Sequence, residues 1–415
     1  MLPTGITAQQ FHPGLPTHVE IIDCTLRDGE QAAGVSFSIP EKIDLAQSLS
    51  DAGIRILDAG FPAASGAERE AMQSIRAHCS QLTLIGTARP LIDDVTAVEQ
   101  AHAHEIALFA PVSQLRLSPL FGRTPAEAER MLTHSAEAAA ARDLHVNIVF
   151  EDATRADPIW LAKLINRIHR RIPLHRVLLA DTVGCGHAAS ISHLFALIRR
   201  SISYDVVLCA HCHNDFGLAS ANSLAAISAG AHAVTCTING IGERAGNADL
   251  AEIVAALTYL YEIETGVVAT KLLALSEQVE KISGIHMSAT KPVTGFNAFR
   301  HESGVHINAL LKHADSYEFL SPSWLGKNSE FVLGKHSGST AVRAALATSH
   351  IGLSGIQQKT LLAHIKHICH TQDKTAYYDA FDRMRETRAN LLGGLNLSTL
   401  LAPPEQKSDD NNIPE

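Results

Sequence analysis

From residue 19 onward, short apolar runs alternate with amphipathic stretches of helical period, and the alternation repeats eight times. The runs expected as strands are Val19–Asp23, Arg55–Gly60, Leu82–Thr87, Glu105–Ala110, His145–Glu151, Arg176–Asp181, Val206–His213 and Ala233–Thr237. The stretches expected as helices are Pro40–Ala52, Ala64–His78, Ile92–Ala103, Thr124–Arg142, Asp157–Arg171, Ala188–Ser201, Leu218–Ala229 and Asn247–Glu262. Pro40 and Thr124-Pro125 suit first helical turns, and Gly53 and Gly230 suit helix ends. Parallel strands need a crossover, usually a helix. Eight such units in roughly 240 residues predict an α/β chain built as a (β/α)8 TIM barrel. An open doubly wound sheet has the same period and is the alternative.

Polar and charged residues at the strand ends decide between the two. Arg27-Asp28 follow the first run, Glu151-Asp152 the fifth and Asp181-Thr182 the sixth; His211 and His213 close the seventh, and Glu243-Arg244 follow the eighth. A barrel gathers these ends into one ring at its C-terminal face. An open sheet would hold the first and seventh strands far apart. The barrel is expected to span 19–265, after an extension 1–18. A linker at 266–298, with a helix over Lys271–Gly284, leads to a mainly helical C-terminal subdomain at 299–401. The tail 402–415 is polar, acidic and proline-containing, and reads as disordered.

Composition excludes several classes. The formal charge of −9 includes no basic cluster, so nucleic acid is not an expected partner. The first 18 residues lack the basic and apolar regions of a secretory signal, and no stretch approaches a membrane span. Seven scattered cysteines fit reduced thiols and a cytoplasmic location. Cys209 and Cys212 form a CxxC, but positions i and i+3 of a strand face opposite sides and cannot grip one zinc ion.

His211 and His213 stand two apart on a strand, so both rings face one side. With Asp28 on the same rim they make a divalent-metal site for Mn, Mg, Zn or Fe. An acidic loop and two core histidines are the plain alternative. Arg27 could polarise a carbonyl or hold an oxyanion, or else form a structural ion pair with Glu30 or another rim acid. The segment Asn239–Asn247 lacks the GxGxxG spacing; its glycines let backbone pass close to a ligand, and Asn247 can offer a carbonyl oxygen. His301 to His306 suggests acid–base work outside the barrel, a weak signal among 23 histidines. Gly334 to Gly338 is not a Walker loop.

Asp23-Cys24-Thr25-Leu26-Arg27-Asp28-Gly29-Glu30-Gln31, His211 to Ala219 and Asn239 to Asn247 together resemble the three signatures of one enzyme family. It comprises the acyl-CoA-condensing metal-dependent barrels: 2-isopropylmalate, homocitrate and citramalate synthases. The resemblance runs from about residue 19 to residue 345. It implies an acyltransferase that joins the methyl carbon of acetyl-CoA to the keto carbon of a 2-oxo acid, then hydrolyses the thioester. By matching positions, Asp28, His211 and His213 would bind the metal, with Asn247 close by or ligating. Arg27 would steady the developing alkoxide, Thr182 the substrate carboxylate, and Glu151 would sit near the metal. His306, supported by Tyr317, would be the base, reaching over the partner subunit of a homodimer with shared active sites.

Phe150 to Asp157, Pro111 to Gln114, His301 to Lys312 and Phe331 to Gly338 resemble homocitrate synthase of the nitrogen-fixation type, which implies 2-oxoglutarate as substrate. Ala59 to Pro62 is more similar to 2-isopropylmalate synthase. About 70 residues follow Leu346, fewer than the resemblance implies for a leucine-binding domain, so none is expected. Arg89, Arg116 and Arg155 follow strands three, four and five; one of them could pair with a distal carboxylate, or each could be a rim arginine facing solvent or a barrel acid. Related barrel lyases place a cysteine in the loop after strand eight, and none lies between Asn239 and Asn247. A non-catalytic barrel would be expected to lose a ligand or the base, and all are retained.

Overall fold

Eight parallel strands close on themselves in chain order. They are β1 (Glu20–Asp23), β2 (Ile56–Gly60), β3 (Thr83–Ala88), β4 (Glu105–Pro111), β5 (His145–Glu151), β6 (Leu174–Asp181), β7 (Val207–Cys212) and β8 (Ala233–Cys236). The computed structural model describes residues 14–118, 122–348 and 350–393. Asp23 lies level with Leu57 of β2 on one side and Cys236 of β8 on the other, which closes the barrel. The first strand therefore stands near the seventh, as a single rim site requires.

A helix follows each strand: α1 (Ile39–Asp51), α2 (Gly66–His78), α3 (Ile92–Gln100), α4 (Pro125–Ala140), α5 (Pro158–Arg171), α6 (Ala188–Ser201), α7 (Ala219–Ser228) and α8 (Leu250–Tyr259). Their starts are chemically marked. Ser38 with Glu41 and Thr124 with Glu127 form capping boxes, each with proline in the first turn. Beyond α1, Gly53 takes φ +90°, and an added Cβ would stand 2.3 Å from the Gly266 carbonyl oxygen. The chain must pass that carbonyl closely, and only glycine allows it.

Strand residues alternate between two cores. Ile22, Ile85, Ala107, Leu178, Cys209 and Ala233 pack inside the barrel. Leu57, Ile148 and Phe150 face out, in one core with Leu45 and Leu49 of α1 and Ile165 and Ile168 of α5. Burying a side chain such as Phe150 contributes about 2–3 kcal/mol. Cys209 faces in, while Cys212 joins the outer core, so the CxxC does not converge.

Some expected boundaries moved for identifiable reasons. The helix expected from Asn247 begins at Leu250, because Asn247 bridges back to His213 and Asp249 caps the helix through the Glu252 amide. A single helical turn at Gln114–Leu117, capped by Ser113, was not anticipated. The 266–298 stretch is more than a connection. It carries α9 (Leu272–Ser283), whose Leu272, Leu275 and Val279 join the outer core.

The C-terminal subdomain contains α10 (Gly304–Leu310), α11 (Ser339–Thr348), α12 (Gly355–Thr371) and α13 (Thr375–Leu392), with short strands β9 (Arg300–His301) and β10 (Glu330–Phe331) paired in parallel. Ile307, Ala341 and Ala344 form its own small core. Among the described residues no helix is long and apolar enough to cross a membrane. The tail expected to be disordered and most of the N-terminal extension lie outside the described residues.

Candidate active site

The turn after β1 is wound on one carbonyl. The amides of Arg27, Asp28 and Gly29 all point at Cys24 O, at 3.2, 2.9 and 3.1 Å. Buried Asp23 accepts from the Thr25 amide and hydroxyl at 2.9 and 3.0 Å. Burial pushes its carboxyl up to about 7. The Thr25 hydroxyl oxygen in turn accepts from the Ile238 amide at 2.9 Å, tying this turn to the loop after β8. Arg27 and Asp28 are thus fixed on the rim by backbone geometry.

Arg27 donates Nε to Asp58 Oδ2 at 2.7 Å and Nη1 to Asp28 Oδ2 at 2.9 Å. Of the alternative partners expected, Asp58 is such a rim acid, while Glu30 pairs with buried Lys42 at 2.6 Å. Burial pulls the Arg27 guanidinium down, but the charges of Asp58 and Asp28 outweigh it and hold it above its ordinary value. For Asp28, burial favours the acid form; Arg27 first, then His211, outweighs it and keeps the carboxylate well below its usual range.

His211 Nδ1 meets Thr235 Oγ1 at 2.7 Å, which aims its Nε2 across the rim. That Nε2 lies 3.3 Å from His213 Nε2 and 3.3 Å from Asp28 Oδ2, and His213 Nε2 lies 3.9 Å from the same oxygen. Ligands on one ion with bonds near 2.1 Å stand about 3.0–3.4 Å apart, so the triad needs only a small contraction. Burial pushes His213 down to about 4, with His211 adding to the shift, so its imidazole is neutral, as a ligand must be. Two buried polar atoms here have no hydrogen-bond partner among the described residues: His213 Nδ1 and Asn247 Oδ1. Asn247 Nδ2 donates to Asp28 Oδ1 at 3.1 Å, so its spare carbonyl sits beside the triad. A divalent ion fits this donor set, with Asp28, His211 and His213 as holders and Asn247 as a further oxygen.

The triad forms one wall of a cavity of about 400 Å³ at the C-terminal mouth, the size of a small-molecule site. Of the residues expected from sequence, Arg27, Asp28, His211, His213, Glu151, Thr182 and Arg116 line it. Thr182 Oγ1 accepts from the Asp152 amide at 2.8 Å. Arg116 is ion-paired with Glu151 and approaches Asp152 at 3.9 Å. Burial raises the Glu151 carboxyl despite that pairing.

Arg89 and Arg155 do not line the cavity. Arg89 forks onto Asp94 at 2.8 and 2.9 Å and lies over the Phe61 ring, 5.6 Å from its centroid. Arg155 is tied to Asp152 at 2.7 Å. His306 and Tyr317 do not line the cavity either; their rings stack at 4.0 Å, with Tyr317 exposed. Nearby, His301 Nε2 meets Glu318 at 2.8 Å.

Sequence reasoning missed three groups. Asp58 anchors Arg27 and also accepts from Thr87 at 3.0 Å; a buried aspartate inside an apolar strand was its only signal. Arg244, noted only as a rim charge, lines the cavity and forks onto Asp215 with two 2.8 Å bonds. Phe61, Phe109 and Val149 supply an apolar wall.

Residues 18–279 match the HMGL-like family model. The chain belongs to the HMGL-like family. Residues 293–373 of this HMGL-like chain also match the model described as homocitrate synthase post-HMGL domain-like. A homocitrate synthase, AksA, of Methanothermobacter thermautotrophicus is 39% identical over 80% of this chain and 84% of its own length. A 2-isopropylmalate synthase of Saccharolobus solfataricus is 36% identical over 87% of this chain and 94% of its own length. In fold, the chain is similar to hydroxymethylglutaryl-CoA lyase from Pseudomonas aeruginosa. That match has a TM-score of 0.59 and 22% identity, covering 72% of this chain and 99% of that one.

Proposed function

We propose that this chain is a homocitrate synthase: it joins the methyl carbon of acetyl-CoA to the keto carbon of 2-oxoglutarate and then hydrolyses the thioester. The carrying observation is the buried group Arg27, Asp28, His211 and His213 on one cavity wall, with the unpartnered Asn247 carbonyl beside it. A divalent ion held by this triad would supply Lewis-acid polarisation of the keto group. Arg27 adds a fixed positive charge where the keto oxygen gains negative charge during attack, and Asp58 holds it ready. The Thr182 hydroxyl, oriented by the Asp152 amide, is placed to donate to the substrate carboxylate.

His306, backed by Tyr317, takes the acetyl methyl proton. Both lie outside the cavity of a single chain, so the reading requires a homodimer in which the C-terminal subdomain of one copy covers the mouth of the other. The hydrolytic water and the acetyl group are then enclosed between the two. Seven free cysteines suit a cytoplasmic enzyme.

Arg116 is the cavity's cation nearest Glu151 and is assigned to the distal carboxylate of 2-oxoglutarate. The apolar wall of Phe61, Phe109 and Val149 favours a second reading, a 2-isopropylmalate synthase acting on 2-oxoisovalerate. Chain length does not separate the two, since the Saccharolobus 2-isopropylmalate synthase is matched over nearly its whole length. Thiol release from acetyl-CoA with a panel of 2-oxo acids does. Turnover with 2-oxoglutarate is expected; turnover with 2-oxoisovalerate alone would replace the homocitrate reading, and turnover with pyruvate alone would make the enzyme a citramalate synthase.

A further inference from the structure

The opposite mouth of the barrel carries a second cluster of metal-ligating side chains. Glu105 opens β4 and His145 opens β5, and the two are paired in register. His175 is the second residue of β6. Val146 pairs with Leu174 and Asn147 with Arg176, so His175 is an extra residue in a bulge. Bulges re-aim side chains. Here neighbouring residues that would face opposite ways both reach Glu105.

Glu105 is divided between two tasks. Its Oε2 accepts from Asn147 Nδ2 at 2.8 Å and Arg176 Nη1 at 2.5 Å, which fixes the buried carboxylate in place. Its Oε1 faces His175 Nε2 at 3.5 Å. That is long for a charge-assisted hydrogen bond and close to the ~3.3 Å between two ligands of one tetrahedral ion. His145 meets the His175 ring edge-on, with centroids 5.2 Å apart. One ligand atom from each of the three lies within 4.8 Å of the others.

We propose that Glu105, His145 and His175 bind a borderline transition-metal ion, of which Zn²⁺ is the type, and that this ion pins the starts of β4, β5 and β6 together. Two imidazoles and one carboxylate suit such an ion, whereas Mg²⁺ and Ca²⁺ take oxygen ligands. Glu20 and Glu105 both pair with Arg176, leaving one excess negative charge to receive a cation. Asn147, the amide that steadies Glu105, keeps a buried Oδ1 without a hydrogen-bond partner among the described residues. His145 is exposed and His175 half-buried, so the ion enters from solvent and keeps water on its remaining positions. His145 and Glu151 end the same strand, about 20 Å apart at ~3.3 Å per residue, so this ion does not touch the substrate. It sits on the face where barrels store stability rather than chemistry.

The test is metal analysis after chelator-stripped full-length protein is dialysed to equilibrium against Zn²⁺. The wild-type chain should hold two equivalents. His145→Ala and His175→Ala should each lose one and keep wild-type turnover, while His211→Ala should lose the other. Zn²⁺ should raise the thermal midpoint of His211→Ala but not that of the double variant His145→Ala/His211→Ala. A wild-type chain whose bound Zn²⁺ is lost entirely in His211→Ala, or His145 and His175 variants that hold as much Zn²⁺ as the wild type, overturns the proposal.

Discussion

Arg27 stands between Asp58 and Asp28, so its charge is held in place before any substrate arrives. Replacing it with alanine should lower kcat by about 10²–10³-fold, the scale for losing one preorganised oxyanion donor. Metal content should be unchanged, which metal analysis of the variant checks. Arg116 makes a different kind of prediction. If it receives a distal carboxylate, Arg116→Leu should raise KM for 2-oxoglutarate about tenfold or more, the ~1.5–3 kcal/mol of a charged hydrogen bond. An unchanged KM would remove Arg116 from substrate recognition. Asp28, His211 and His213 were readable because their chemistry is local: a carboxylate after a strand, and two imidazoles at period two. Asp58, Arg244 and the fate of Arg89 were not. Each depends on which partner a long side chain meets across the fold, and Arg89 found Asp94 five residues away instead of the cavity.

The loop after β8 works as a unit. At Gly242 an added Cβ would stand 2.1 Å from Asn247 Nδ2 and 3.1 Å from Asp28 Oδ1. Gly242→Ala should therefore displace the Asn247 amide, weaken metal retention on dialysis and depress turnover, with the thermal midpoint less affected. The capping box at Thr124 belongs to scaffold alone, and Thr124→Ala should cost about 1 kcal/mol in denaturant unfolding without changing KM. Strands and helices were readable because hydrophobic period and caps act within a few residues. The start of α8 was not, because Asn247 is pulled out of helix by its bridge to His213, a contact across the barrel rim. The bulge at His175 was equally hidden, since one extra residue leaves the alternation of β6 nearly intact.

The whole molecule poses the question of how the proposed base, His306, would reach the triad. The barrel presents the triad, while His306 and Tyr317 stand on the C-terminal subdomain outside the cavity. If a second copy supplies them, two inactive proteins should rescue each other. Mixing Asp28→Asn with His306→Ala after subunit exchange should restore roughly one quarter of wild-type activity, since half the dimers carry one intact site. Absence of any rescue would mean that His306 serves the barrel of its own chain. The claim beneath all of these is carbon–carbon bond formation. Acetyl-CoA labelled with ¹³C at the methyl carbon, incubated with 2-oxoglutarate, a divalent ion and the enzyme, reports on it directly by NMR. The label should appear in a methylene next to a quaternary carbon bearing a hydroxyl, and only with all components present. A label that stays in acetyl-CoA, or emerges in free acetate, would contradict the condensation.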